Sequence, residues 1–450
     1  MLSKILIANR GEVALRIIRA CRELEIPCVA VYSEADAGCL HVREADEAVC
    51  IGPGPVADSY LSVPAVIGAA EIKGCDAVHP GYGLLAENAA FVETCVDNGL
   101  VFIGPSAAVM RRMGDKALAK QEMKKARIPV IPGSEREVPN VQEAASLAGE
   151  LGYPIMLKAA FGGGGRGMRL VNAPGEMESQ FLLARSEADK AFGDGALYLE
   201  KAVTSPHHVE VQVLADKAGS VLTLGERDCS VQRRHQKLIE ESPSPLLDPE
   251  TRRKMASAAI AACRACGYEN AGTIEFLVDG DKNFYFMEMN TRVQVEHPVS
   301  EVTTGVDIVK EQIRIAKGDL LPQTGSIQTR GHAIELRIIA EDPSDGFRPN
   351  TGRITRYVSP GGPGVRVDSH LYEGYEVPVF YDSLLAKLIA WDASRPAAIT
   401  RALRALDEYV IEGIITNKDL CAAILRSPDF VNGVYTTAFI DENKQQLGIK

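Results

Sequence analysis

Residues 284–298 read Phe-Tyr-Phe-Met-Glu-Met-Asn-Thr-Arg-Val-Gln-Val-Glu-His-Pro. An apolar strand runs without a break into two carboxylates (Glu288, Glu296), two amides (Asn290, Gln294) and an arginine (Arg292). Side chains alternate along an extended chain, which puts these five on one side and Met289, Thr291, Val293 and Val295 on the other. A face that holds both charge signs and no apolar residue is not a core face. In a strand this hydrophobic it reads as a site. Upstream, Ala271–Val278 supplies a partner strand, and Asp279-Gly280-Asp281-Lys282 is the turn of a hairpin. With the turn centred near residues 281 and 282, Glu275 lies opposite Glu288. Facing positions sit about 4.5–5.5 Å apart, where like charges repel. The pair therefore needs a proton or a cation, and oxygen-seeking Mg²⁺ carried in with nucleotide phosphates fits that need. The plain alternative is a solvated hairpin in a slipped register.

The bulk properties exclude several classes. The chain has 450 residues, enough for two to four structural units on the usual prior. Hydrophobic residues make up 46% and charged ones 24%, the composition of a soluble globular chain. A formal net charge of −11 with no basic block argues against nucleic acid as a partner. No apolar run is long enough for a membrane span, and the N-terminus leads straight into a strand rather than a signal peptide. The ten cysteines are scattered in apolar surroundings, as expected of reduced thiols in a cytoplasmic protein. Cys263-Arg264-Ala265-Cys266 has no second ligand pair for zinc and reads as buried helix packing.

The first hundred residues alternate strand and helix, which predicts a doubly wound parallel sheet. Its first strand–helix turn, Asn9-Arg10-Gly11-Glu12, holds a single glycine. A dinucleotide fingerprint needs three, so a nicotinamide dehydrogenase is disfavoured despite Glu34. A helix over 106–126 carries Lys116. Residues 132–203 form a compact unit of two helices and short strands around a glycine loop. From His208 onward the pattern turns antiparallel, with alternation in 209–214 and 221–224. A last unit begins near Arg330.

The glycine loop, Lys158-Ala159-Ala160-Phe161-Gly162-Gly163-Gly164-Gly165-Arg166-Gly167, lacks the Gly-Lys-Ser/Thr of a Walker loop. Four consecutive glycines leave backbone N–H groups free to wrap oxygen anions, and Lys158 adds a point charge suited to phosphate. A plain mobile turn is the alternative. Glu200-Lys201-Ala202-Val203 lies where this unit meets the next, a place for a purine between sheets. The run Glu226–Lys237, dense in donors, is either a solvated loop or the positive wall facing the carboxylate strand.

Together these segments resemble biotin carboxylase, a member of the ATP-grasp superfamily. So do Ile7-Ala8-Asn9-Arg10-Gly11-Glu12, His79-Pro80-Gly81-Tyr82-Gly83, Met113-Gly114-Asp115-Lys116 and Arg330–Arg337. The likeness spans essentially the whole chain in order. It implies an α/β ATP-grasp fold: a doubly wound N-terminal domain (1–114), a helical connector (115–131), a small α+β lid with the glycine loop (132–203), a catalytic part (204–329) and a mainly antiparallel α+β C-terminal domain (330–450). It implies ATP-dependent carboxylation of biotin by bicarbonate, through carboxyphosphate. Lys116, Lys158, Glu200, Lys201, Val203, His208, Gln232 and His235 would contact ATP, with the backbone of Gly164 and Gly165 over its phosphates. Glu275, Glu288 and Asn290 would hold two Mg²⁺ or Mn²⁺ ions. Lys237, Arg292, Gln294 and the Val295 backbone would bind bicarbonate, and Glu296, its pKa lowered by Arg292, would take the proton. Tyr82 and Arg337 would meet biotin, Arg337 stabilising its enolate; to serve two substrates the 284–298 motif would bend after Asn290. The biotin-attachment pattern Ala-Met-Lys-Met is absent, so the resemblance implies a separate biotin carboxyl carrier protein, a separate carboxyltransferase subunit and a homodimer. Phe161 departs from the further glycine of many free-standing members and is similar to the pyruvate carboxylase form. Two rivals stay open: an acylphosphate-forming ligase with another acceptor, and a non-catalytic nucleotide-binding subunit.

Overall fold

Short apolar strands alternating with helices can bury both of their faces only in a parallel sheet. The computed structural model, which describes residues 2–134, 136–159, 168–322 and 324–449, shows that sheet at the N-terminus. Glu47–Cys50, Cys28–Tyr32, Ile5–Ile7, Ala77–His79 and Val101–Phe102 lie side by side in that order, all parallel. The strand order reverses between Ile5–Ile7 and Ala77–His79, and loops leaving such a switch point line a ligand crevice. Here they are Asn9–Glu12 and Pro80–Tyr82. Asn9 stitches them together, its Nδ2 donating to the carbonyls of Pro80 at 2.7 Å and Tyr82 at 2.8 Å. Gly81 permits the approach: its φ is +63°, and a Cβ there would stand 2.9 Å from Asn9 Nδ2.

The single helix expected over 106–126 is two, Ala107–Gly114 and Lys116–Lys125. Asp115 is extended (ψ 107°), and its carboxylate accepts from the N–H groups of Ala117 and Leu118, both at 3.0 Å. A short carboxylate offers the backbone a cap in place of a continuing turn, and this one starts a new helix at Lys116. Beyond it, Met168–Val171, Ile155–Ala159 and Leu197–Lys201 form a three-stranded antiparallel sheet. Helices Val141–Leu151 and Met177–Phe192 pack against it. Ile155–Ala159 and Met168–Val171 are the hairpin arms expected on either side of the glycine loop; the loop itself lies outside the described residues.

A nine-stranded sheet carries the rest. Its main path runs Phe284–Asn290, Asn270–Val278, His207–Ala215, Val221–Arg233, Gln236–Ser242, His332–Ile339, Leu384–Asp392 and Val365–Ser369, every neighbour antiparallel. The sheet passes unbroken across residue 330. The donor-rich run 226–237 is not a loop: the strand beginning at Val221 continues through it to Arg233. It reverses at Arg234-His235, with φ of +48° and +66°, the positive pair that two-residue hairpins favour. Ladder pairing sets the run between His207–Ala215 and Gln236–Ser242, in the same sheet as the carboxylate strand.

Glu275 pairs with Glu288, the register the sequence predicts. A bulge makes that possible. Phe276 pairs with Phe286 and Glu275 with Glu288, leaving Met287 as the extra residue. Without it Phe286 and Glu288, two apart, would share a face. With it Phe286 enters the core beside Phe276 and Ile274, while Met287 and Glu288 both line the opposite side. All ten cysteines are free and all but Cys50 are buried, Cys263 and Cys266 within helix Pro249–Cys266. Among the described residues no helix is long and apolar enough to cross a membrane.

Candidate active site

The parallel sheet, the small sheet and the long antiparallel sheet enclose one cleft of about 2160 Å³. Every candidate residue named from sequence lines it, apart from Gly164 and Gly165, which, like Phe161, lie outside the described residues.

Lys237 sits at its floor. The side chain is 12% exposed, and Nζ lies 2.5 Å from Glu296 Oε1, 2.8 Å from Glu210 Oε2 and 3.4 Å from Glu275 Oε1. Burial works against the ammonium, but the surrounding thiol and carboxylates win, and its pKa is held well above the usual lysine value. Glu296 has a second cation, Arg337, whose Nη2 is 2.9 Å from Oε2. Burial alone would raise the Glu296 carboxyl. Lys237, Arg337 and Arg227 override it and hold the group well below the carboxylate range.

The nucleotide half is laid out around Glu275. His208 Nε2 is 3.0 Å from its Oε2, and Asn290 Nδ2 and Gln294 Nε2 each donate to Oε1 at 2.7 Å. Lys237 and then His208 outweigh burial and keep Glu275 ionised far down the pH scale. Glu288, facing it, has among the described residues one ion-pair partner, Lys116 at 3.7 Å. Burial, and then the Glu275 charge, raises its carboxyl. The facing pair is thus asymmetric, one member locked as an anion and the other inclined to take a proton. On the small sheet, Glu200 is gripped by Lys158 at 2.6 Å and Lys120 at 2.9 Å, which overcome burial and lower its pKa. Gln232 is paired with Lys237 across the ladder, and His235 is at the hairpin turn. Lys201 lines the cleft at the seam with Val203, yet its ammonium is committed to the carbonyls of Gly152 at 2.8 Å and Tyr153 at 2.9 Å.

Strict alternation of the five polar residues stops at Asn290, where the strand ends. The chain bends at Arg292 and turns at Val295–Glu296 into helix His297–Thr304. The five therefore do not share one strand face, and the bend expected after Asn290 is present: Asn290 faces Glu275, whereas Glu296 reaches Lys237 and Arg337 from the turn. Arg292 does interact with the Glu296 charge, as expected, but as a lesser partner. Arg292 Nε pairs with Glu87 at 2.9 Å and Nη2 donates to Asn290 Oδ1 at 3.0 Å. The cations that most depress Glu296 are Lys237 and Arg337. Tyr82 is sunk in the N-terminal wall with its hydroxyl bonded to Glu12; burial, then the Glu12 charge, pushes the phenol well above its usual pKa.

Residues 1–110 match the family described as biotin carboxylase, N-terminal domain, and residues 335–442 the biotin carboxylase C-terminal domain. Residues 115–324 match the ATP-binding domain of the carbamoyl-phosphate synthase L chain. A biotin carboxylase of Nostoc sp. is 54% identical over 440 residues, 98% of each chain. The chain belongs to the biotin carboxylase family. Its fold is accordingly the ATP-grasp fold expected from the sequence. The crystal structure of a Campylobacter jejuni biotin carboxylase–β,γ-ATP complex superposes with a TM-score of 0.94 at 51% identity, covering 98% of this chain and 99% of that one. The biotin carboxylase domain dimer of Hydrogenobacter thermophilus 2-oxoglutarate carboxylase, in complex with MgADP, ADP and bicarbonate, does so at 0.93 and 48%, covering 99% of each.

Sequence reasoning missed the residues behind the site. Arg227 is completely buried, and its donors reach Glu210 (2.5 Å), Gln212 (2.6 Å), Gln294 (2.7 Å), Thr273 (3.0 Å) and Ser300 (3.1 Å). It fixes the oxygen of Gln294, which turns that amide's nitrogen toward Glu275. Glu210 joins Arg227 to Lys237. Glu87, from the N-terminal domain, clamps Thr291 N at 2.9 Å as well as Arg292. Lys120 and Glu240 complete the first and last ion pairs of the cleft. Alternation in His207–Ala215, with Glu210 and Gln212 amid valines, was the available signal; Arg227 lay inside a run already dense in arginine. Removing one partner of a buried ion pair strands the other charge. Arg227→Met should therefore lower stability by about 3–5 kcal/mol, read as a shift in the urea midpoint at unchanged slope. A shift too small to measure would show that Glu210 is adequately held by Lys237 alone.

Proposed function

We propose that this chain carboxylates biotin on a separate carrier protein, using ATP and bicarbonate through carboxyphosphate. The observation that carries this is the Glu296 carboxylate buried between Lys237 and Arg337, one step from the carboxylate pair of the nucleotide half. The bound MgADP and bicarbonate of the Hydrogenobacter thermophilus relative support it.

ATP would lie across the seam of the small and long sheets, with Lys116 and Lys158 on its phosphates, His208, Gln232 and His235 along it, Gly164 and Gly165 above it, and the Glu200–Val203 edge against the base. Glu275 and Glu288 fit divalent cations: they are facing oxygen donors, and the proton Glu288 favours is what a cation would replace. Asn290 would join them once its oxygen leaves Arg292. Mg²⁺ held there would neutralise charge gathering on the transferred phosphoryl group. The pair suits two ions, Mn²⁺ as well as Mg²⁺. Bicarbonate would lie between Arg292, Gln294, the Val295 backbone and Lys237.

Glu296 then takes the bicarbonate proton as the oxygen attacks the γ-phosphorus and ADP departs. A carboxylate this strongly stabilised is a poor base at rest. Lys237, the cation that lowers it most, is one that bicarbonate would recruit, so its arrival would draw that charge from Glu296 and restore basicity as it is needed. Arg337, always charged, is placed to receive the negative oxygen of the biotin enolate beside Tyr82. The acylphosphate-ligase alternative has no use for that second half of the site. A carrier protein, a carboxyltransferase subunit and a homodimer, the form of the Hydrogenobacter thermophilus relative, complete the reading, in a cytoplasmic setting.

Two outcomes test it. Glu296→Ala should bind ATP nearly as the parent does and lose bicarbonate-dependent ATP cleavage by a factor of about 100 or more, whereas Arg337→Ala should spare that cleavage and lose biotin carboxylation. Unchanged turnover in the first, or equal loss of both activities in the second, sinks the assignment. The second outcome concerns pH. Because the Glu288 pKa is raised, protonation competes with the cation at higher pH than for a free glutamate. Calorimetric Mg²⁺ affinity in the presence of ADP should weaken as pH falls from about 7 to 5, and Glu288→Gln should flatten that dependence. A flat profile in the parent chain contradicts the placement of the cation.

A further inference from the structure

The sheet face beneath the 292–296 turn carries an ion pair that none of these steps uses. Lys387, in strand Leu384–Asp392, is fully buried and stands directly across the ladder from Arg337 on one side and Asp368 on the other. Facing cations repel, so each needs its own counter-charge. Arg337 has Glu240 and Glu296. Lys387 has Glu12 at 3.1 Å and Asp368 at 3.8 Å. Asp368 is already held on both oxygens by Arg366, at 2.9 Å and 2.7 Å, so Glu12 is the principal partner.

A buried ammonium is expensive to desolvate, and a well-packed apolar side chain is often as stable in its place. What the ammonium holds is therefore informative. Lys387 Nζ donates to the carbonyl of Val295 at 3.0 Å. That bond sets the peptide plane leading into Glu296, from the side away from the cleft. The other oxygen of Glu12 accepts the Tyr82 hydroxyl, and the Tyr82 ring centre is 6.0 Å from Lys387 Nζ. One end of the pair grips the peptide assigned to bicarbonate, the other the phenol assigned to biotin.

We propose that Lys387 and Glu12 are a positioning pair that fixes the separation of the bicarbonate and biotin subsites. The proposal rests on the function proposed above. Its reach excludes the nucleotide: neither residue contacts Lys116, Lys158, Glu200 or the Glu275–Glu288 pair. The fold supplies the logic, since Glu12 and Tyr82 leave the two strands of the parallel-sheet switch point while Lys387 comes from the far side of the long sheet.

The test uses the full chain with ATP, bicarbonate and free biotin, comparing Lys387→Met, Glu12→Gln and the double variant. The double variant removes both charges and leaves Asp368 on Arg366, so no buried ion is stranded. Lys387→Met should raise the KM for bicarbonate about tenfold or more, and Glu12→Gln the KM for biotin by a similar factor, while the KM for ATP stays within about twofold. The double variant should be no worse than the product-limiting single, because the two residues act as one unit. Unaltered bicarbonate and biotin KM values in the double variant overturn the proposal. So does a loss that falls equally on ATP, or a double variant that fails to fold, since the pair is then a folding element. A parent chain that does not carboxylate biotin overturns the proposed function itself, whereas an active parent with insensitive variants overturns the pair alone.

Discussion

The ammonium of Lys237 lies within 3.4 Å of three buried carboxylates, Glu210, Glu275 and Glu296, and most of the site follows from keeping those charges together. Carboxylates packed this closely would protonate or push apart without it. Each also needs further donors, and the structure supplies them in separate directions. Arg227 backs Glu210, His208 and Asn290 hold Glu275, and Arg337 holds Glu296. The result is a floor whose charges are balanced before any substrate arrives. In the proposed reaction bicarbonate would redistribute those contacts instead of creating them, which is how a site can be preorganised for charge that develops only in the reaction.

Two local irregularities let a regular sheet carry this arrangement. The extra residue Met287 reverses which face follows Phe286: Phe286 and Met289 stay in the core, while Met287, Glu288 and Asn290 line the cleft. The bend at Arg292 then takes the chain out of the sheet altogether. Glu275 and Glu288 belong to the sheet; Glu296 belongs to a turn that a helix and a buried lysine support from behind. Rigid strands hold the nucleotide end, and a shaped turn holds the end where bond formation is proposed.

Legibility in the sequence tracked periodicity and register. The parallel N-terminal sheet, the hairpin arms around the glycine loop and the Glu275–Glu288 pairing were all readable, because alternation and turn chemistry are local. The split at Asp115 was missed since a capping aspartate in a helical pattern looks like one more polar position. The continuation of the strand from Val221 to Arg233 was missed for the opposite reason: its charged residues are buried against partners far away in sequence, so the run looks solvated when read alone. Arg227, Glu210, Glu87 and Lys387 act on residues 15 to 205 positions distant, and no spacing rule reaches them. Assigning Arg292 as the cation that acidifies Glu296 followed from sequence proximity. Geometry gives the larger part to Lys237 and Arg337.

The central claim is that bicarbonate itself attacks ATP in this cleft, and the fate of its oxygen tests this most directly. With ¹⁸O-labelled bicarbonate, mass analysis of the inorganic phosphate formed should find one labelled oxygen carried over for each ATP cleaved, since that oxygen bridges carbon and phosphorus in carboxyphosphate. Phosphate bearing only solvent oxygen, formed at the same rate, would contradict the account.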